Sequence, residues 1–235
     1  MTERLDKFLS SQTPLSRRDA AKAIRDKRVT VNGAVTRTAD CKINPDADIV
    51  TLDGTALRYR RFVYYMMNKP SGAVSATEDR EERTVLDILP AELMRPGLFP
   101  AGRLDKDTTG LLILTDDGDY AHRMLAPNKH VDKTYLVTLD REPDESVGEA
   151  FQAGITLGDG TVCKPGQAVP LGGCRVKVVI REGKYHQIKR MFAALGYHVE
   201  ALTRVGIGAL KLDDSLAPGE VRELTAAEAG KVFDN

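Results

Sequence analysis

The sequence predicts an α+β protein in two unequal parts: a small basic head and a larger body with a mostly antiparallel mixed sheet flanked by helices. Three observations carry this expectation. Strand patterns outnumber helical ones in the body and do not alternate strictly with them, which excludes a regular βαβ winding. The net charge of zero hides an asymmetry, because residues 1–60 hold 12 Lys and Arg against 8 Asp and Glu, while the rest holds 22 against 26. A chain of 235 residues, 42% hydrophobic, fills one large domain or two unequal ones. A basic head on a mildly acidic body points to a polyanionic partner for the head.

Several classes are excluded at this level. No apolar run approaches the ~18 residues of a membrane span, and the start MTERLDKFLS lacks the apolar core of a secretion signal, so a cytoplasmic chain without a membrane partner is expected. Cys41, Cys163 and Cys174 are far apart and form no C-x-x-C pair, so reduced thiols are expected. His122, His130, His186 and His198 show no ligand spacing, and neither a G-x-G-x-x-G nor a P-loop pattern occurs. No metal and no cofactor are therefore expected.

The head reads as follows. Thr2 is placed as the cap of a short helix with Leu5, Phe8 and Leu9 on one face. Pro14 breaks the chain, and Ser16 to Asp19 resembles a capping box opening a helix over 17–27. Ala20, Ala23 and Ile24 form its inner face; Arg18, Lys22 and Arg25, at i, i+4 and i+7, form an outer basic stripe. Asn32-Gly33 between two β-rich runs is a hairpin signal. Val50 and Leu52 belong to a closing strand ended by Asp53-Gly54, and residues 55–61 read as a linker. RLDKFL, SRRDA and VTVNG, in this order over about residues 3–54, resemble the S4 RNA-binding domain. The resemblance implies contact with RNA phosphates and shape, with Arg4, Arg17, Arg18, Lys22, Arg25 and Arg28 as candidates. Lys27-Arg28 stands where a glycine is common before the strand, which is expected to alter that turn.

In the body, residues 62–67 form an apolar strand, followed by the turn Asn68 to Gly72. Residues 85–89 read as a short helix ending at Pro90. The stretch AGRLDKDTTGLLILT, 101–115, is a polar turn running into the apolar residues Leu111 to Leu114, a strand buried on both faces. Asp105 alone would read as a turn residue bonding its own backbone; at the mouth of such a strand it is also an acid on a rigid support, partly withheld from water. Asp116 or Asp117 caps a helix that Pro127 stops. KTYLVTL, 133–139, is a strand with Tyr135, Val137 and Leu139 on one face. A helix over 144–153 closes at Gly154, and Arg175 to Ile180 alternates as a half-buried strand. Ile188, Met191, Phe192 and Leu195 share a helix face with His186 and Lys189 off it, and Gly196 follows. Residues 197–205 form a strand, and Thr225 to Glu228 is a capping box.

MNKPSG at 67–72, GRLDKDTTGLL at 102–112, KTYLV at 133–137 and EGKYHQIKRMFAALG at 182–196 resemble the pseudouridine synthases of the RsuA branch over nearly all of residues 60–235. The resemblance implies conversion of a uridine in RNA to its C-glycoside isomer without metal or cofactor. It implies Asp105 as the catalytic carboxylate, Lys189 as the cation that keeps it ionised, and Tyr135 as a pocket ring that stacks on uracil or moves a proton. Arg103 would fill the space left by the flipped nucleotide or hold a phosphate, and Leu202 would be an apolar wall. His186 is read as structural or RNA-facing, and Lys69 and Lys184 as phosphate contacts. HRMLAP at 122–127, KTYLVTL at 133–139 and APGEVRELT at 217–225 lean toward the small-subunit rRNA members of the branch. This gives 16S rRNA near the 530 loop, free or in a small-subunit assembly particle, as the expected partner of a monomer. A large-subunit enzyme of the same branch and a non-catalytic S4-domain assembly factor are the alternatives. The expected division is an S4-like domain over 1–58 and a catalytic domain over 59–235.

Overall fold

The computed structural model describes residues 2–126 and 131–234; Pro127, read as a helix stop, and His130 lie outside the described residues. The chain falls into two units, one running up to Val63 and including Leu89–Leu98, the other comprising Tyr64–Ile88 and the chain from Phe99 onward.

The first unit runs β1 (Glu3–Arg4), α1 (Leu5–Gln12), α2 (Arg17–Arg25), β2 (Val29–Val31), β3 (Ala34–Val35), β4 (Lys42–Ile43), β5 (Val50–Leu52) and β6 (Thr55–Ala56). Its core is built on the predicted helix faces: Leu5, Phe8, Leu9, Ala20, Ala23 and Ile24 pack on Val29, Ile43 and Val50. Thr2 does not cap α1. The amides of Leu5 and Asp6 donate instead to the carbonyls of Cys41 and Ala39, so the neighbouring chain satisfies the helix start. Ser16 does cap α2, accepting from the Asp19 amide at 3.1 Å and donating to its carboxylate. The helix ends at Arg25, and Lys27 takes a left-handed φ of 61°, so the turn before β2 keeps a glycine-like backbone with lysine in it.

Asn32-Gly33 turns the first hairpin with both φ values positive, as a type I′ turn requires. Asp53-Gly54 does the same, and here the expectation of a linker over 55–61 fails. Thr55–Ala56 pairs with β5, Leu57 and Tyr59 pack on the head core, and the Tyr59 ring stacks on Phe8. The Asp-Gly pair is a hairpin turn rather than a terminator. Arg95 Nη2 donates to the Arg60 carbonyl at 2.8 Å, tying the 89–98 segment to this unit.

The second unit runs β7 (Tyr64–Lys69), β8 (Phe99–Ala101), β9 (Thr109–Thr115), α3 (Gly118–Leu125), β10 (Lys133–Leu139), α4 (Ser146–Ala153), β11 (Gln167–Pro170), β12 (Arg175–Ile180), α5 (Gln187–Ala194), β13 (Val199–Ile207), β14 (Leu210–Lys211), β15 (Val221–Glu223) and α6 (Ala226–Gly230). The nine strands form one mixed sheet in the order β11-β12-β10-β13-β9-β7-β15, with β14 beside β13 and β8 beside β9. Among the described strands of this sheet only the β13–β9 pairing is parallel, so the predicted α+β class and mostly antiparallel sheet hold.

β9 is central, and Leu111 to Leu114 are fully buried, as a continuous apolar run demands. α3, capped by Asp117, contributes Tyr120, Ala121 and Met124 to a core with Met66, Leu111, Ile113 and Ile207. Gly154 closes α4 with φ 86°, and Thr225 and Glu228 complete a reciprocal capping box on α6. The helix expected over 85–89 is absent. Val85 N donates to the Val74 carbonyl, and Asp87 accepts from Thr84, so these backbone groups serve a turn instead. Among the described residues no helix is long and apolar enough to cross a membrane.

Gly110 is where β9 enters its parallel contact with β13, opposite Arg204. Its φ is 97°, and a Cβ there would lie 2.3 Å from the Arg204 carbonyl oxygen. Gly110→Ala must separate the two strands beneath the 102–108 loop. The expected cost is about 3 kcal/mol or more in urea unfolding, whereas Gly33→Ala, in open space, should cost less.

Candidate active site and basic face

Asp105 lies in the loop that joins β8 to β9, and three neighbours hold that loop. Lys69, the last residue of β7, has no exposed surface. Its ammonium donates to the carbonyls of Pro70 at 3.0 Å, Lys106 at 3.1 Å and Thr108 at 2.9 Å. Gly72 N donates to the Lys106 carbonyl, and the Ser75 hydroxyl meets both the amide and the carbonyl of Leu104 at 3.0 Å. The MNKPSG turn therefore serves as a clamp on the Asp105 loop. Lys69 is not the phosphate contact expected of it. Alternation along β7 explains why: Tyr65, Met67 and Lys69 share one buried face.

The loop forms one wall of a cavity of about 470 Å³. Arg103, Asp105, Tyr135 and Leu202, four residues singled out from the sequence, all line it. Tyr135 on β10 and Leu202 on β13 are buried on adjacent strands, where the register sets Val137 opposite Leu202 and Tyr135 opposite Arg204. Arg103 is exposed and has no ion-pair or hydrogen-bond partner among the described residues. Lys184 also lines the cavity, its ammonium 2.5 Å from the Glu182 carboxylate.

Asp105 is half-buried, with 26% of its side chain exposed. Lys189 Nζ stands 3.9 Å from its carboxylate, across the fold from α5. That ammonium bonds more closely to Asp107, at 2.5 and 2.6 Å, so the expected Asp105–Lys189 pair is one arm of a shared arrangement. Two acids two residues apart in a tight turn both reach the same cation. The Lys189 hydrogen bond holds the Asp107 carboxyl below the usual carboxylate range, against the opposing effect of burial. His186 brings Nε2 within 3.6 Å of Asp105 Oδ1, closer than a merely structural reading anticipates. Asp107, Ser75 and the loop-holding role of Lys69 went unread; the D-K-D spacing and the buried alternation of β7 are the signals that carry them.

On the head, the six candidate RNA contacts divide. Arg18, Lys22 and Arg25 are exposed on α2 with no partner among the described residues. Arg4 is bonded twice to Asp6, Arg17 lies 3.5 Å from the same carboxylate, and Arg28 forms a two-bond pair with Asp53. The free basic stripe is thus the helical one, and the other three arginines are already partnered within the head.

The chain that carries this cavity and this basic head matches known proteins along most of its length. Residues 63–194 match the RNA pseudouridylate synthase family, and residues 3–49 match the S4 domain. The chain belongs to the RNA pseudouridylate synthase family and is an isomerase of that kind. It is 46% identical over 231 residues to ribosomal small subunit pseudouridine synthase A of Yersinia pestis, covering 97% of both chains. The protein of the same name from Escherichia coli is 45% identical over 97% of this chain and 99% of its own. A crystal structure of a pseudouridylate synthase superposes with a TM-score of 0.69 at 40% identity, covering 98% of this chain and 99% of the other.

Burial pushes the Lys69 ammonium down to about 8, with Asp107 and Asp105 pulling the other way. Above that pH the amine keeps two N–H groups for three carbonyls, and the Asp105 loop loses a tie. The turnover rate should therefore fall as pH rises through about 8. Global stability should not fall with it: an unfolded lysine holds its proton up to about 10.5, so the unfolded chain binds more protons in this window and stability rises. Lys69→Met should lower kcat at least ~10-fold, since orphaned buried carbonyls cost about 1–3 kcal/mol each. Amide exchange over 103–108 should quicken, measured by mass spectrometry.

Proposed function

We propose that this chain converts a uridine of 16S rRNA, near the 530 loop, to pseudouridine, with Asp105 as the catalytic carboxylate. The observation that carries the proposal is convergence: Asp105 and Tyr135, from distant segments, line a single cavity, and Lys189, from a third, stands 3.9 Å from the Asp105 carboxylate. The extent of likeness to small-subunit enzymes supports the choice of rRNA.

The chemistry needs an N1–C1′ bond broken, the uracil turned, and a C5–C1′ bond made. An ionised Asp105 serves by attacking C1′, by taking the C2′ proton to give a glycal, or by adding to C6 of the base. Lys189, shared with Asp107, stands beside that carboxylate. Tyr135 offers a ring face to the uracil, and its hydroxyl makes no hydrogen bond among the described residues, leaving it available for proton transfer. Leu202, on the adjacent strand, is the apolar wall. Arg103, unpaired at the cavity, receives a phosphate or occupies the place of the extruded nucleotide.

The proposed division of labour gives RNA docking to the S4-like head and isomerisation to the body. Arg18, Lys22 and Arg25 are the phosphate contacts that lose nothing within the protein by binding, because no carboxylate competes for them.

Tritium release from C5-labelled 16S transcripts tests the chemistry. Wild type should release tritium and Asp105→Asn essentially none, while RNA affinity persists; lost affinity in that variant would make Asp105 structural. Replacing Arg18, Lys22 and Arg25 together by alanine should flatten the slope of log affinity against log salt by about 2–3, at ~0.7–0.9 per phosphate contact. An unchanged slope rejects the assignment of the stripe.

A further inference from the structure

Tyr185 breaks the ordinary rule for aromatic side chains. At 74% exposure it is the most exposed of the large apolar and aromatic residues among those described, yet it lines the cavity of Asp105. It is also held in place. Its ring stacks on His186 with centroids 3.9 Å apart and planes 18° from parallel. His186 has φ 46° and ψ 37°, a left-handed backbone that a residue with a side chain keeps only where its surroundings enforce it.

The enforcing contacts are present. The buried Gln187 side chain accepts from Lys184 N and donates to Glu182, spanning the turn from both sides. Arg190 donates through its backbone to the His186 carbonyl and through its guanidinium to the Tyr185 carbonyl. His186 Nε2 in turn lies 3.6 Å from Asp105. Tyr185, His186 and the carboxylate thus form a fixed ladder from solvent to the candidate reaction centre. One face of the outer ring is covered by imidazole, and the other is open.

We infer that the Tyr185–His186 pair is a stacking subsite for a base next to the target uridine. Drawing one nucleotide out of a folded loop leaves its neighbour without a stacking partner. A flat, pre-ordered aromatic ring at the cavity mouth replaces that partner, and it does so for any base because every base has a π face. Unpaired Arg103 on the same cavity supplies a positive charge for the intervening phosphate. The inference rests on the proposed action on a flipped uridine, and it places a second nucleotide in register with Asp105.

The test uses the full chain and hairpin RNAs from the 530 region with 2-aminopurine placed in turn at the loop positions. Binding of wild type should quench fluorescence at one position beside the target. Tyr185→Ala should lose most of that quench and raise KM roughly 10-fold, the scale of one base–aromatic stack, with kcat within about twofold. Tyr185→Phe should restore both quench and KM. Equal quench and KM in wild type and Tyr185→Ala would overturn the subsite. So would a fall in kcat at unchanged KM, because the ring would then be positioning His186 and Asp105 rather than holding RNA. A wild-type protein that binds these hairpins but forms no pseudouridine refutes the 16S assignment alone, since the quench is read from binding without turnover.

Discussion

A single ammonium group, sealed from solvent at the end of β7, organises the body of this protein. Lys69 spends all three of its N–H bonds on carbonyls at Pro70, Lys106 and Thr108, on both sides of the turn that carries Asp105. Burying a cation without a carboxylate partner is costly, and the depressed affinity of Lys69 for its proton reflects that cost. What the fold gains is a polar loop whose backbone is fixed from below, at the mouth of the most apolar strand in the sheet. Gly110 completes the arrangement from the other side, letting β9 approach the Arg204 backbone where any side chain would collide.

Around this fixed loop the charges are placed by geometry rather than by number. Asp105 and Asp107 share Lys189, while His186 stands at the far oxygen of Asp105. A carboxylate so placed keeps one oxygen toward a cation and remains open to the cavity. Lys184, Arg190 and Arg181 are neutralised nearby by Glu182, Asp159 and Asp132, so Arg103 is conspicuous as a cavity cation without an acid. The same selection operates in the head, where Asp6 and Asp53 claim three arginines and leave the α2 stripe free. Unclaimed cations are the ones a phosphate backbone can use without first breaking an ion pair.

Much of the fold was legible because it rests on local rules. The 3.6-residue spacing of Leu5, Phe8 and Leu9, the Asn-Gly hairpin, the Ser16 and Asp117 caps, and the apolar run Leu111 to Leu114 each depend on neighbours in sequence. The errors fell where distant backbone competes with local preference. Cys41 and Ala39 carbonyls took over the start of α1 from Thr2, and Val74 drew residue 85 into a turn instead of a helix. The stretch 55–61 has the composition of a linker, and only pairing of Thr55 and Ala56 with Leu52 and Thr51 makes its Asp-Gly turn a hairpin.

The sequence by itself determined the two-part plan and the strand and helix faces, since residue type and spacing are local properties of the chain; its resemblance to a known family is what singled out Asp105, Tyr135, Lys189, Arg103 and Leu202. Only the tertiary structure decided which of them meet, and on what terms. It set Lys189 between two acids, turned Lys69 inward as a clamp, and brought His186 and the exposed Tyr185 to the cavity wall. The reason is physical: an ion pair, a buried hydrogen bond or a stacked ring is fixed by distances of a few ångströms between segments that can lie more than 80 residues apart. Those distances exist only once the sheet has set its register.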